Sequence, residues 1–265
     1  MNPPRPGFVE WIDSVPDPGW RILPLTHVTK GLAAEDIIRT GIIRAQQCDV
    51  LKSMRAFLFY GRPSYRFKED GPIKAEAACP FCFVFDSSLI QTATDIYAFD
   101  TGAFAARLYK HIIMDEMELS DFSLHSDASR VNRLIARAFK SQDGYLNPRQ
   151  SEIIDAEIGA SPWEFHARAY LNLIRSGGRN EPDDRISTVE VSFDRDLPLV
   201  PSLRGLVVPH TVWSPGSRAP WIGMLASSSP VEISTYTFLP GRSVDYYYAL
   251  VEAEVRLMFK GWGLI

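Results

Sequence analysis

The segment from Arg21 to Ala45 constrains the fold of this chain more than any other part of the sequence. It reads as a short apolar strand with a polar exit at residues 26–29, followed at once by a compact helix from Ala33 to Thr40. Pro24 interrupts the apolar run and cannot donate a ladder hydrogen bond, so we expect an edge or irregular strand. Side chains at the end of such a strand can meet a ligand without burying a charge.

The end of this helix is marked by Gly41, a residue that tolerates the left-handed conformation after a last helical turn. Two polar residues, His27 and Thr29, are expected to stay at the mouth of the strand. The apolar residues of the segment are expected to reach a core: Leu32, Ile37, Ile38 and Ile42.

A second informative stretch runs from Ala56 to Arg66 with the sequence AFLFYGRPSYR. Phe57 to Tyr60 is predicted to be a buried strand, because aromatic residues favour strands and a glycine and a proline follow. Arg62 and Arg66 flank the turn, and their guanidinium groups offer paired donors to phosphate oxygens. A third strand is expected from Phe81 to Asp86, where its role is packing.

A third informative stretch is Tyr145 to Ile158, in which an Asn-Pro turn delivers Gln150 and Glu152 to the start of a predicted strand. Residues two apart on a strand share a face, so both side chains would point the same way. Glu190 is a rival glutamate, since it lies in a segment that also alternates like a half-buried strand. Glu157 is a weaker alternative on the same predicted strand as its neighbour Asp155.

These features together resemble the ADP-ribosyltransferase superfamily. The carrying motifs are a strand ending in His-x-Thr, a helix running into Ile-x-x-x-Gly, and a loop with Gln-x-Glu before a strand. The resemblance implies an α+β fold with a split antiparallel β-sheet core, a helical insertion at about 101–142 and a C-terminal helix. It also implies that residues 1–265 form a single domain.

The resemblance further implies NAD as a substrate and assigns roles to particular residues. Glu152 would be catalytic, Gln150 would contact the acceptor, and Tyr65 would stack on nicotinamide. Loss of nicotinamide builds positive charge on the ribose, and a fixed carboxylate favours that state over the ground state. The residues implied to bind the cofactor are His27, Thr29, Tyr60, Arg62, Ser64, Tyr65 and Arg66.

The resemblance leaves the acceptor open between a nucleic acid and a protein, and it includes DNA-targeting bacterial toxins of the DarT kind. A toxin or phage-defence effector controlled by an antitoxin is the implied setting. If water were the acceptor, the same site would make an NAD glycohydrolase. A different class of function is a non-catalytic binding module, with either the basic helix that carries Arg130, Arg133 and Arg137 or the loop from Trp213 to Trp221 as its contact surface.

Composition excludes several other classes. The chain has 265 residues of which 46% are hydrophobic, enough for a substantial core. A net charge of -4 gives no global basic character. No apolar run is long enough to span a membrane and no signal sequence opens the chain, so we expect a cytoplasmic protein without a membrane partner. Cys48, Cys79 and Cys82 make neither a disulfide framework nor a zinc site, and no metal is predicted.

Overall fold

The computed structural model describes residues 7–64, 71–148, 153–176 and 184–265. Its strands are β1 (Leu25–Lys30), β2 (Ile42–Ile43), β3 (Gln46–Cys48), β4 (Ser53–Tyr60), β5 (Pro80–Phe85), β6 (Asp95–Tyr97), β7 (Ser123–His125), β8 (Glu190–Phe193), β9 (Leu197–Pro198), β10 (Leu203–Pro209), β11 (Trp213–Ser214), β12 (Ser217–Arg218) and β13 (Glu232–Tyr236). Its α-helices are α1 (Phe8–Asp13), α2 (Gly31–Thr40), α3 (Thr101–Ala105), α4 (Ala128–Phe139), α5 (Gln142–Leu146), α6 (Ala156–Gly159), α7 (Phe165–Arg175), α8 (Pro220–Ser228) and α9 (Val244–Gly261).

These elements form two compact units, and the fold mixes α and β structure as predicted. Unit 1 contains the described residues within 1–22, 49–52 and 91–192. Unit 2 contains those within 23–48, 53–90 and 193–265. The single-domain organisation of the chain stays a prediction.

Unit 2 is built on a large mixed sheet with the strand order β3, β4, β1, β5, β10, β13. Neighbouring strands are antiparallel except β10 and β13, which are parallel because α8 crosses over between them. The prediction of a split antiparallel β-sheet core is therefore wrong at this pair, which is parallel. The prediction of an edge strand after Pro24 is also wrong, since β1 lies between β5 and β4. Pro24 precedes the ladder, and its carbonyl accepts a hydrogen bond from the Gly61 N–H at 2.9 Å.

Helices cover both faces of this sheet. α9 packs on one face, where a side chain added at Gly205 would come within 2.8 Å of the Met258 sulfur. On the other face, Trp221 of α8 lies 6.0 Å from the ring of Phe81 on β5. α9 matches the predicted C-terminal helix, because its apolar residues recur at helical spacing.

α2 follows β1 without a loop and ends where the sequence predicts. Gly41 adopts a φ of 71°, the left-handed conformation that closes the helix. Ile38 is buried, as predicted, but Leu32 is 65% exposed, so the prediction that it reaches the core is wrong. Gly31 begins the helix close to the backbone of Glu76, where a larger residue would clash.

Unit 1 combines a three-stranded antiparallel sheet of order β8, β6, β7 with helices α1 and α3 to α7. The indole N–H of Trp11 on α1 donates to the Gly159 carbonyl at 2.8 Å and ties the first helix to α6. The predicted helical insertion at 101–142 is only partly helical, because β7 and a series of turns separate α3 from α4.

Candidate functional site

β1 places His27 and Thr29 on the same face of the unit 2 sheet. Alternate residues of a strand share a face, and the register sets His27 opposite Phe83 and Thr29 opposite Phe81. Both polar side chains are half-buried, whereas the two phenylalanines are buried. An imidazole and a hydroxyl therefore lie beside two aromatic rings. The predicted position at the strand mouth is wrong for His27, which is the third of the six residues of β1.

The strands β1 and β4 separate next to His27. Their antiparallel pairing consists of Leu25 with Tyr60 and Thr26 with Phe59. Beyond that point the His27 ring nitrogen Nδ1 lies 3.0 Å from the carbonyl oxygen of Phe57. The pairing of β1 with β4 thus ends at Thr26, and the next contact between these strands comes from the His27 side chain.

This contact fixes the chemical form of His27. A carbonyl oxygen only accepts hydrogen bonds, so Nδ1 carries the proton and donates to Phe57. Burial lowers the pKa of His27, against a smaller opposing effect of the Phe57 hydrogen bond. In the neutral ring Nε2 is then an acceptor, and His27 has no second hydrogen-bond partner among the residues that the structure describes.

The turn after β4 is fastened to the start of β1. The Thr26 hydroxyl donates to the Arg62 carbonyl at 2.7 Å, and Gly61 reaches a φ of 68° to make the turn. Thr26 is fully buried, and its role was missed from the sequence because an alternating strand does not reveal which backbone group a hydroxyl will meet.

Arg62 is buried rather than solvent-facing. Its Nε lies 3.7 Å from a carboxylate oxygen of Glu252 on α9. The guanidinium predicted to meet a phosphate therefore already faces an anion in this structure. The sequence around Arg62 does not reveal this burial, because its partner Glu252 lies on a helix almost two hundred residues later in the chain.

Two further predicted cofactor residues, Tyr60 and Ser64, lie in the interior. The Tyr60 hydroxyl accepts a hydrogen bond from the Leu23 N–H at 2.9 Å, and its ring is fully buried. Ser64 is 2% exposed, and its hydroxyl has no hydrogen-bond partner among the described residues. An unsatisfied buried hydroxyl costs about 1–3 kcal/mol, so a water or ligand atom there would be stabilising. Tyr65 and Arg66 lie outside the described residues.

Gln150 and Glu152 also lie outside the described residues, but the chain after them is not the predicted strand. Asp155 accepts a hydrogen bond from the Glu157 N–H at 2.9 Å and begins α6. A short helix forms because this aspartate satisfies a backbone donor that a strand would have paired differently. Glu157 lies on α6 and forms an ion pair with Arg168.

The rival glutamate, Glu190, is a buried residue of β8 with 4% exposure. The Thr101 hydroxyl donates to one carboxyl oxygen at 2.7 Å, and the Thr101 N–H donates to the other at 3.3 Å. Burial and then the nearby charge of Asp100 raise the pKa of Glu190 well above its ordinary value. Both effects disfavour the anionic form that would stabilise an oxocarbenium ion, and both oxygens are already engaged by Thr101, so the position of Glu190 suits a structural role in unit 1.

The Cys-x-x-Cys pair formed by Cys79, just before β5, and Cys82, within β5, has no nucleophilic character. Burial raises the pKa of Cys79 to about 12, and burial also raises the pKa of Cys82. Thiolate is the reactive form, so both side chains behave as small apolar groups. The described residues contain no group of three or more His, Cys, Asp or Glu side chains that could hold a metal ion.

The basic helix considered as a contact surface, α4, is largely neutralised within unit 1. Arg130 and Arg133 bind Asp13 at 2.9 and 3.0 Å. Arg137 lies over the Trp11 ring at 5.2 Å from its centroid. These contacts fix α1 against α4 and reduce the positive charge offered to a nucleic acid.

The described residues include no helix that is long and apolar enough to cross a membrane. Comparison with models of protein families, with curated proteins and with solved structures finds no match for this chain.

Proposed function

We propose that this chain is an NAD-dependent ADP-ribosyltransferase with the split-sheet fold of that superfamily, acting on a macromolecule. The observation that carries the proposal is the state of His27. Its ring is fixed by the Phe57 carbonyl, stays neutral because its pKa is lowered, and offers Nε2 as an acceptor beside the Thr29 hydroxyl. An acceptor and a hydroxyl on one sheet face suit the paired hydroxyl groups of a ribose.

The proposed reaction breaks the bond between C1′ of the nicotinamide ribose and the nicotinamide nitrogen. The electron pair of that bond leaves with nicotinamide, and a lone pair of an acceptor oxygen or nitrogen forms the new bond to C1′. The acceptor proton passes to solvent. Glu152 is assigned the stabilising anion, in preference to Glu190, which is buried and has a raised pKa.

His27 and Thr29 act in this proposal as binding residues and not as acid or base. A neutral imidazole accepting a hydrogen bond positions the ribose in the same way before and after nicotinamide leaves. Ser64 supplies a buried hydroxyl without a protein partner among the described residues, which supports its assignment to the ligand.

The test is incubation of the purified protein with NAD that is labelled in its adenylate phosphate, together with cell extract. Nicotinamide release is followed by chromatography, and labelled macromolecules are treated separately with nuclease and with protease. Wild-type protein is expected to label one of these two classes. Glu152→Gln is expected to reduce labelling at least about 100-fold, as for the loss of one electrostatic stabiliser.

Glu157→Gln is the matched control, because Glu157 is a glutamate on the exposed side of α6 and is expected to be dispensable. Nicotinamide release without labelled macromolecules would identify a glycohydrolase. If the wild-type protein releases no nicotinamide, or if Glu152→Gln is fully active, the proposal fails.

A further inference from the structure

Unit 1 exposes three large apolar side chains within eight consecutive residues. Ile158 of α6 is 85% exposed, Trp163 of the connecting turn is 74% exposed, and Phe165 at the start of α7 is 65% exposed. We call these three residues the 158–165 surface. Single exposed apolar residues are ordinary on proteins, but a concentration of large ones marks an interaction site.

Hydrogen bonds fix the backbone that carries the 158–165 surface. In the turn, the Ser161 N–H donates to the Glu164 carboxylate at 2.6 Å and the Glu164 N–H donates to the Ser161 carbonyl at 3.0 Å. The Arg168 guanidinium of α7 donates to the carbonyls of Ala156 and Ala160 in and after α6. A partner would therefore meet a preorganised turn and would lose little affinity to the ordering of its backbone.

Most charges next to the 158–165 surface are paired with each other. Arg168 pairs with Glu157, and Arg175 pairs with Asp155 at 3.0 Å. A nucleic acid draws its affinity from cations that contact phosphates, and these two arginines are already engaged with carboxylates. These two ion pairs leave only the Glu164 carboxylate, which accepts from the Ser161 N–H, as net charge in this segment, so repulsion between two copies is small.

The exposed area agrees with a contact between two copies. At these exposures the three side chains present roughly 400 Å² of apolar surface per copy. A twofold contact would bury roughly 800 Å² from them alone, so the surrounding charged pairs need supply only the remainder of the roughly 1,200 Å² that a stable interface begins with.

We propose that the 158–165 surface is the self-association interface of this protein, in which two copies meet about a twofold axis with Trp163 and Phe165 of each packed against the other. Closed twofold dimers use the same patch on both subunits, which the small net charge of this segment permits. The proposal is independent of the transfer chemistry.

The test is the molar mass of the full chain in solution, measured by light scattering and sedimentation equilibrium up to roughly 100 µM, because interfaces of this size bind in the micromolar range or tighter. Wild-type protein is expected to approach twice 29.8 kDa. The double variant Trp163→Ser, Phe165→Ser is expected to stay at the mass of one chain. Both replaced residues are exposed, so its melting temperature should remain that of the wild type.

Met224→Ser on α8 is the matched control, since Met224 is 57% exposed and lies in unit 2. It is expected to dimerise like the wild type. A wild-type chain that is monomeric over the whole range overturns the proposal. So does a dimer that survives the double variant, or one that Met224→Ser weakens equally.

Discussion

Two ionisable side chains on interior strands differ in how completely their hydrogen-bonding groups are satisfied. They are His27 of unit 2 and Glu190 of unit 1. Both are ionisable residues without an opposite charge at hydrogen-bond distance in the described chain. Glu190 is fully enclosed, and Thr101 satisfies both of its oxygens. His27 is half-buried, and one nitrogen is held by Phe57 while the other keeps its lone pair. A buried group with all its hydrogen bonds made supports structure, whereas a partly satisfied group where the β1–β4 ladder ends keeps the capacity to bind.

The largest expected effect concerns the buried member of this pair. Glu190→Ala removes the acceptor for two Thr101 donors and leaves a cavity, so the free energy of unfolding should fall by about 3 kcal/mol. Urea unfolding measures this change in the free energy of unfolding. Glu190→Gln is the control and should stay within about 1 kcal/mol of the wild type, because the Thr101 hydroxyl can accept from the amide as well as donate. Equal stability of Glu190→Ala and wild type would show that the Thr101 contacts contribute nothing.

A smaller effect is expected where β1 passes into α2. Gly31→Ala would bring Cβ to 2.4 Å from the Glu76 carbonyl oxygen and 2.8 Å from the Phe81 ring, so overpacking should cost about 2 kcal/mol. Gly223→Ala is the matched substitution at a helical glycine of α8 with open space around it, and it should stabilise the protein by roughly 0.5–1 kcal/mol. Thermal unfolding measures the melting temperatures of the two variants. If Gly31→Ala raises the melting temperature as Gly223→Ala does, the close approach at Gly31 is absent in solution.

The contributions of the two ionisable side chains to stability should change in opposite directions with pH. The raised pKa of Glu190 contributes to the free energy of unfolding at pH values below 4.5, the ordinary pKa of a glutamate. This contribution is lost as the pH rises through the pKa of the folded state. The lowered pKa of His27 contributes to the free energy of unfolding at pH values above 6.5, the ordinary pKa of a histidine. This contribution is lost as the pH falls through the pKa of the folded state. Glu190→Gln should therefore gain stability relative to wild type as pH rises from 4.5. His27→Gln should gain relative to wild type as pH falls below 6.5. Urea titrations across this range test both signs, and parallel curves for wild type and either variant contradict that assignment.

Local patterns predicted the elements whose boundaries are set by neighbouring residues. The stop of α2 at Gly41, the buried strand β4 and the helix α9 all follow from such patterns. The errors came from partners distant in sequence. The central place of β1 depends on pairing with β4 and β5, which Pro24 does not prevent because it lies outside the ladder.

The candidate site was predicted less completely for the same reason. Histidine at position 27 is visible in the sequence, but its tautomer depends on the Phe57 carbonyl thirty residues later. The burial of Arg62 depends on Glu252. Alternation in residues 188–193 predicted a half-buried strand, whereas all four residues of β8 are buried, since neighbouring elements cover both faces.

The smallest effect on stability, and the sharpest test of the contrast with Glu190, is expected for His27→Phe. A phenylalanine packs beside Phe83 but loses the hydrogen bond to Phe57, so unfolding should become easier by only about 1 kcal/mol. Binding of NAD, measured by calorimetry, should nevertheless fall below detection, because the acceptor Nε2 is gone. His27→Gln keeps an amide N–H for the Phe57 carbonyl and an oxygen acceptor for a ribose hydroxyl, so it should recover part of the affinity. If His27→Phe destabilises the protein as much as Glu190→Ala while NAD binding is unchanged, His27 is a structural residue like Glu190, and the end of the β1–β4 ladder is not a binding site.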